Sequence, residues 1–269
     1  MDIPGNVSAQ TIVSTAWQAR LSGLINLDSS AAKSAQLSDR DEPINVYAHV
    51  LQHPKFGTYL IDTGVSKKVL DNPSQFGVNW LVQRFMSIDK IAIKQSTSDL
   101  LANLSSPLQG VFLTHMHLDH IAGMPDIDSA IPVYIGKNEA TTKSLMNVVV
   151  QSVSDGVLGK NRVLREWNFS NIASATMSDG LDVLDVFGDG TVFAISVPGH
   201  TPGSTAYLVR TAAGAILFTG DTSHTQWGWD NGVEPGSFTE DHPRNLSSLL
   251  ALKELSKRHP KMTVRFGHQ

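Results

Sequence analysis

The sequence predicts an α/β (α+β) protein, and three observations carry that reading. Strand-type segments gather at both ends of the chain, a helical stripe lies between them, and polar residues beside glycine recur where apolar runs stop. A length of 269 residues suits one large domain or two small ones and allows a substantial core. No repeat, low-complexity tract or linker interrupts it, so residues 1–269 are read as a single domain.

In chain order, Thr11–Trp17 and Asn45–Gln52 carry the β-branched and aromatic residues of strands, and Gly57–Ile61 follows a turn at His53-Pro54-Lys55. The small polar stretch Ser29–Glu42 reads as an exposed loop with a short helix. Residues 65–110 are helical and irregular; Val78, Leu81, Val82 and Phe85, at i, i+3, i+4 and i+7, form one apolar stripe expected to face the core. A lid or a homodimer contact is the alternative for that stripe. Val111–Thr114 and Pro132–Ile135 read as short strands, and Lys137–Ser154 as a helix. Leu181–Phe187, Thr191–Val197, Ser204–Arg210 and Ala215–Thr219 make a strand-rich second half, separated by glycine-bearing turns. Asn245 is expected to cap a helix over Leu246–Lys257 that His259-Pro260 stops, before a last strand, Met262–Phe266.

Composition excludes several classes. A net charge of −4 offers no basic footprint for nucleic acid. The absence of cysteine excludes disulfides, thiolate zinc sites, iron–sulfur clusters and a Cys nucleophile. There is no apolar run of about 18 residues to span a membrane, and no basic-then-apolar start marks a signal peptide. A cytoplasmic location is expected, or a periplasmic or secreted one if a leader has been removed.

The chemistry announces itself at Thr114-His115-Met116-His117-Leu118-Asp119-His120. Three histidines and a carboxylate fall within six residues of a chain that has 10 histidines in all. At these frequencies H-x-H-x-D-H arises by chance on the order of once in a thousand such chains. Imidazole and carboxylate donors at this density suit zinc, and also iron or manganese. Three further polar residues stand beside glycine at the ends of expected strands: Gly199-His200, Gly220-Asp221 and Gly267-His268. Each alone reads as a turn or a loop histidine; their recurrence with the His motif points to one site.

With Asp62 after the strand Gly57–Ile61, these motifs occur in the order characteristic of the metallo-β-lactamase superfamily, which the chain resembles from about Asn45 onward. The resemblance implies an αββα sandwich, two mixed β-sheets packed face to face with helices outside. It also implies two divalent metal ions, zinc first, with iron, manganese or cobalt as alternatives. His115, His117 and His200 would hold one ion, Asp119, His120 and His268 the other, with Asp221 bridging and Asp62 orienting ligands from behind. Two cations lower the pKa of a bound water, making a hydroxide nucleophile without Ser or Cys.

Aspartate rather than cysteine at 221 argues against a true β-lactamase, and the lack of basic extensions against a nucleic-acid-processing member. The end of the chain just past His268 and Ala122-Gly123 after His120 resemble the N-acyl-homoserine lactonase branch, which quenches bacterial signalling. The expected reaction is attack of a metal-bound hydroxide on a lactone or small ester, a small-molecule substrate. Lactonases of this branch carry a tyrosine three residues after the bridging aspartate; here that residue is His224. His224 and Asp119 are the candidate proton carriers, with an exposed loop histidine as the alternative for His224. Trp80, Trp227, Trp229 and Phe238 are candidates for receiving an acyl chain, or for packing their loops. The rivals are a thioesterase, phosphodiesterase or sulfatase on the same scaffold, a low-turnover metal-containing sensor, and an iron oxygenase.

Overall fold

The structure is a computed structural model that describes residues 3–85, 87–141, 153–159, 162–170, 174–176 and 180–269. Among the described residues the strands are β1 (Ser8–Arg20), β2 (Asp41–His53), β3 (Gly57–Ile61), β4 (Ala92–Ile93), β5 (Leu108–Phe112), β6 (Val133–Ile135), β7 (Leu164–Glu166), β8 (Ser174–Thr176), β9 (Asp182–Asp185), β10 (Val192–Ser196), β11 (Thr205–Thr211), β12 (Gly214–Phe218) and β13 (Thr263–Arg265). They form a seven-stranded sheet in the order β4-β1-β2-β3-β5-β6-β7 and a six-stranded sheet in the order β13-β12-β11-β10-β9-β8. Both sheets are mixed: β3, β5, β6 and β7 run parallel, as do β12 and β13.

The period-2 alternation of strand side chains explains the layers. On β11, Tyr207 and Val209 face the other sheet and join Leu51, Ile61 and Phe112 in the inter-sheet core. Ala206 and Leu208 on the same strand face outward and pack beneath Leu249, Leu252 and Leu255 of the helix His242–Arg258. On the far side, Val50, Leu60 and Val111 pack against Val65, Leu100, Ile121 and Met124. Helical segments therefore cover the outer face of each sheet, giving the expected αββα sandwich.

Several sequence expectations need correction. The helix expected from Leu246 begins at His242, and its cap is Asp241, whose side chain accepts from Arg244 N–H. Asn245 is turned inward and fully buried instead. The stripe on the helix Trp80–Phe85 is split: Val78 is buried, but Leu81 is 58 % exposed and the neighbouring Trp80 68 %. Residues 137–141 form turns rather than the start of a helix, while 153–158 are helical; residues 142–152 of the expected Lys137–Ser154 helix lie outside the described residues. Strands β4, β7 and β8, only two or three residues long, carried too little pattern to be read.

Candidate metal centre

All five motif segments end at one rim. β3 and β5 are parallel, so Asp62 and the His115–His120 loop leave their sheet on the same side. β10 and β12 are both antiparallel to β11, and β13 is parallel to β12, so His200, Asp221 and His268 also follow strand ends that point one way. The arrangement brings two groups within ligating reach, His115, His117, His200 and Asp221, and Asp119, His120, His268 and Asp221.

Asp221 joins the groups. Its Oδ2 has five imidazole nitrogens within 3.6 Å: Nε2 of His224 (3.0 Å), His120 (3.2 Å), His268 (3.4 Å), His200 (3.5 Å) and His115 (3.6 Å). In the first group His200 Nε2 and His117 Nδ1 converge at 3.0 Å. In the second, Asp119 Oδ2 lies 3.3 Å from His268 Nε2 and 3.5 Å from His120 Nε2.

The opposite ring nitrogens are tied to the frame. His120 Nδ1 donates to Asp62 Oδ2 at 2.8 Å, and His268 Nδ1 to the carbonyl of Asn45 at 2.9 Å. His200 Nδ1 meets Thr239 Oγ1 at 3.2 Å, and its backbone N–H donates to Asn245 Oδ1 at 3.0 Å. Asn245 also donates to the Thr222 carbonyl, so one inward amide links two ligand loops. Such bonds set the tautomer and aim Nε2 at the centre. Asp62 adopts φ +54°, a left-handed conformation that is uncommon outside glycine, and Thr114 N–H and Oγ1 donate to it at 2.8 and 2.9 Å. Glycine beside the ligands is a matter of room: a Cβ on Gly267 would stand 2.1 Å from Asp221 Oδ1.

The electrostatics ask for positive charge. Burial pushes His117 down to about 4 and, with His120 beside it, His115 well below its ordinary range, so both are neutral donors. His120 is buried too, but Asp221, Asp119 and Asp62 draw a proton onto it and raise it well above that range. His268 is raised in the same way, chiefly by Asp221. His115 Nε2, His120 Nε2 and Asp221 Oδ1 are buried without a hydrogen-bond partner, a condition costing roughly 1–3 kcal/mol per group. Divalent cations would take the place of the drawn-in protons and satisfy these atoms. The donor set, nitrogen and oxygen without sulfur, fits two such ions.

His224 is not the exposed loop residue that was one alternative. It is 4 % exposed, with its ring centroid 5.3 Å from that of His200 and 4.9 Å from that of His268. The aromatic candidates divide. Trp229 is buried and packs on Phe266 in the core beside the long helix, and Trp227 packs with Leu21, Leu24 and Val233. Trp80 and Phe238 keep exposed surface. Sequence reasoning missed Asn245, read as a cap, and Glu139, whose buried carboxylate joins two ligand loops; neither has a local pattern that betrays its partners.

Sandwich and donor set together define an αββα protein with a His/Asp cluster suited to two divalent ions at one rim. Residues 41–268 match the Lactamase_B family model, the metallo-beta-lactamase superfamily, and the chain belongs to that superfamily. Curated relatives include the N-acyl homoserine lactonase AttM of Azorhizobium caulinodans, 28% identical over 82% of this chain and 82% of that protein. AttM of Agrobacterium fabrum is 27% identical over 92% and 90%. Among solved structures, a quorum-quenching N-acyl homoserine lactone lactonase superposes with TM-score 0.67 at 19% identity, covering 100% of this chain and 94% of that one. The dizinc quorum-quenching lactonase AidC superposes with TM-score 0.62 at 15% identity, covering 100% and 90%. Among the described residues no helix is long and apolar enough to cross a membrane.

Proposed function

We propose that this protein is a dinuclear metal-dependent hydrolase that opens lactone rings, with N-acyl-homoserine lactones as the substrate class. The observation that carries the reading is Asp221, whose Oδ2 gathers five imidazole nitrogens and joins two ligand groups into one centre. The similarity to proteins named as lactonases, over 82% and 92% of this chain, supports the substrate class. His115, His117 and His200 hold one ion and Asp119, His120 and His268 the other, with Asp221 shared and Asp62 fixing His120 from behind. Zinc suits these donors, with iron, manganese or cobalt as alternatives. When bound, the pair supplies an activated water and a Lewis acid for the ester carbonyl.

The chain's own residues manage the protons. Asp119 is the most open of the three carboxylates, with 14 % side-chain exposure against 6 % for Asp62 and 4 % for Asp221. That openness supports Asp119 as the residue that takes a proton from the nucleophile and passes it on. His224 brings two unbonded ring nitrogens to the same centre and can donate to the carbonyl oxygen or to the leaving alkoxide. Of the aromatic candidates, Trp80 is the most exposed, at 68 %, and is the one proposed to receive an acyl chain, followed by the partly exposed Phe238.

The test is a hydrolysis panel on purified protein with metal content measured in parallel, covering acyl-homoserine lactones of several chain lengths, simple lactones, thioesters, phosphodiesters and a β-lactam. Turnover fastest on the acyl-homoserine lactones, with two ions per chain, is expected. Rapid turnover of the phosphodiester alone would overturn the reading.

A further inference from the structure

Glu139 belongs to neither ligand group, yet its carboxylate is tied to both loops that carry the His115, His117, His200 group. It is buried, in the turn that follows β6. Its Oε1 accepts from the backbone N–H of Met116, the residue between His115 and His117, at 2.7 Å. Its Oε2 accepts from Thr201 Oγ1 at 2.8 Å and from Gly203 N–H at 2.8 Å, both just past His200. Ser154 Oγ donates to the Met116 carbonyl at 3.1 Å, so that residue's backbone is held on its N–H and on its C=O. The loops meet without slack: a Cβ on Gly136 would stand 1.7 Å from the Gly203 carbonyl oxygen, and one on Gly203 2.6 Å from Glu139 Cβ. His120 and His268 of the other group are anchored elsewhere, by Asp62 and the Asn45 carbonyl.

We propose that Glu139 is a positioning residue for one half of the centre, setting His115 and His117 against His200 and thereby the affinity of that group for its ion. The inference rests on the two-ion reading above. Its chemistry is specific to a carboxylate. Each oxygen accepts from a backbone N–H, a donor that cannot reverse. A glutamine of the same size, whichever way its amide is turned, sets an NH₂ against one of them and leaves a buried donor unsatisfied. A role in filling space would survive that change; a clamp would not.

The experiment titrates zinc into the full-length metal-free protein and into Glu139→Gln against a chromophoric chelator, with circular dichroism and thermal unfolding of both metal-free proteins recorded alongside. Two ions are expected in the wild type. The variant should keep one at wild-type affinity and bind the other tenfold to a hundredfold more weakly, the range for removal of a partner behind a ligand. Two ions at wild-type affinity in the variant overturn the clamp, and so does equal weakening of both. Should Glu139→Gln not fold, Thr201→Val decides: weakening of one ion supports the clamp and unchanged binding of both overturns it. A wild type that binds no divalent ion removes the two-ion reading and the clamp with it, whereas a fully loaded wild type beside an unaffected variant removes the clamp alone.

Discussion

His224 Nε2 stands 3.0 Å from Asp221 Oδ2, and both ring nitrogens of His224 are buried without a hydrogen bond. A buried imidazole kept only for packing is expected to have a partner, because leaving its polar atoms unpaired costs stability. On the two-ion hydrolase reading proposed above, substrate is the partner these nitrogens await. His224→Ala is therefore expected to lower kcat by about 10²- to 10⁴-fold, the usual worth of a positioned proton donor, with metal content unchanged. His224→Tyr should restore much of the loss. Steady-state kinetics with metal analysis check this, and a wild-type rate in His224→Ala would remove the proton role.

Asp62 receives Thr114 N–H, Thr114 Oγ1 and His120 Nδ1 on its two oxygens. Asparagine fits the same space but turns one acceptor into a donor. Asp62→Asn should weaken binding of the ion proposed for Asp119, His120 and His268 by about 10- to 100-fold. Equilibrium dialysis against zinc buffers measures it, and unchanged binding would show that His120 is oriented by other means.

His49, which belongs to neither candidate ligand group, gives a pH dependence. It lies between Thr11 Oγ1, 3.0 Å from its Nδ1, and the ring of Phe218, at a centroid distance of 4.3 Å. Burial, aided by the positive charge of Arg265, pushes its pKa from 6.5 down to about 3. The unfolded chain takes up a proton below about 6.5 that the fold refuses until about 3. The contribution of neutral His49 is thus complete above 6.5 and is lost progressively as the pH falls through that window. In metal-loaded protein the Tm should drop between pH 6.5 and 4.5 more steeply in the wild type than in His49→Phe. Identical slopes would place the titration elsewhere.

Phe112 is the keystone of the inter-sheet aromatic layer, stacked on Tyr59 at 4.8 Å and Tyr207 at 5.7 Å and 1 % exposed. Truncation leaves a cavity between two sheets that cannot close over it. Phe112→Ala should cost about 3–5 kcal/mol in denaturant unfolding. A loss under 1 kcal/mol would mean that the layer relaxes around the gap.

Legibility in the sequence followed the range of the forces involved. The strands Gly57–Ile61 and Leu108–Phe112 lean on alternation and β-branched residues, both local, and were anticipated to within a few residues. The stripe faces the core at Val78 and Val82 but not at Leu81, because periodicity reports a shared face but not what covers it, and Leu81 and the neighbouring Trp80 are left exposed. Asn245 fits the local pattern of a helix cap, yet the cap is Asp241; what decides the matter is His200, 45 residues away, whose N–H needs an acceptor.

By itself the sequence determined the candidate metal donors, because H-x-H-x-D-H and the glycine-flanked His200, Asp221 and His268 are legible one segment at a time. Tertiary structure alone decided how they meet. Asp221 Oδ2 lies among five imidazoles because β10, β12 and β13 of one sheet run the same way and their ends meet the loop after β5 of the other at one rim, a result of pairings between residues far apart in the chain. The same long-range packing buried His224 at the centre and set Glu139 between two loops. His224 was a candidate only from its place three residues after Asp221, and Glu139 could not be assigned at all, because hydrogen bonds act over about 3 Å in space and have no fixed spacing in sequence.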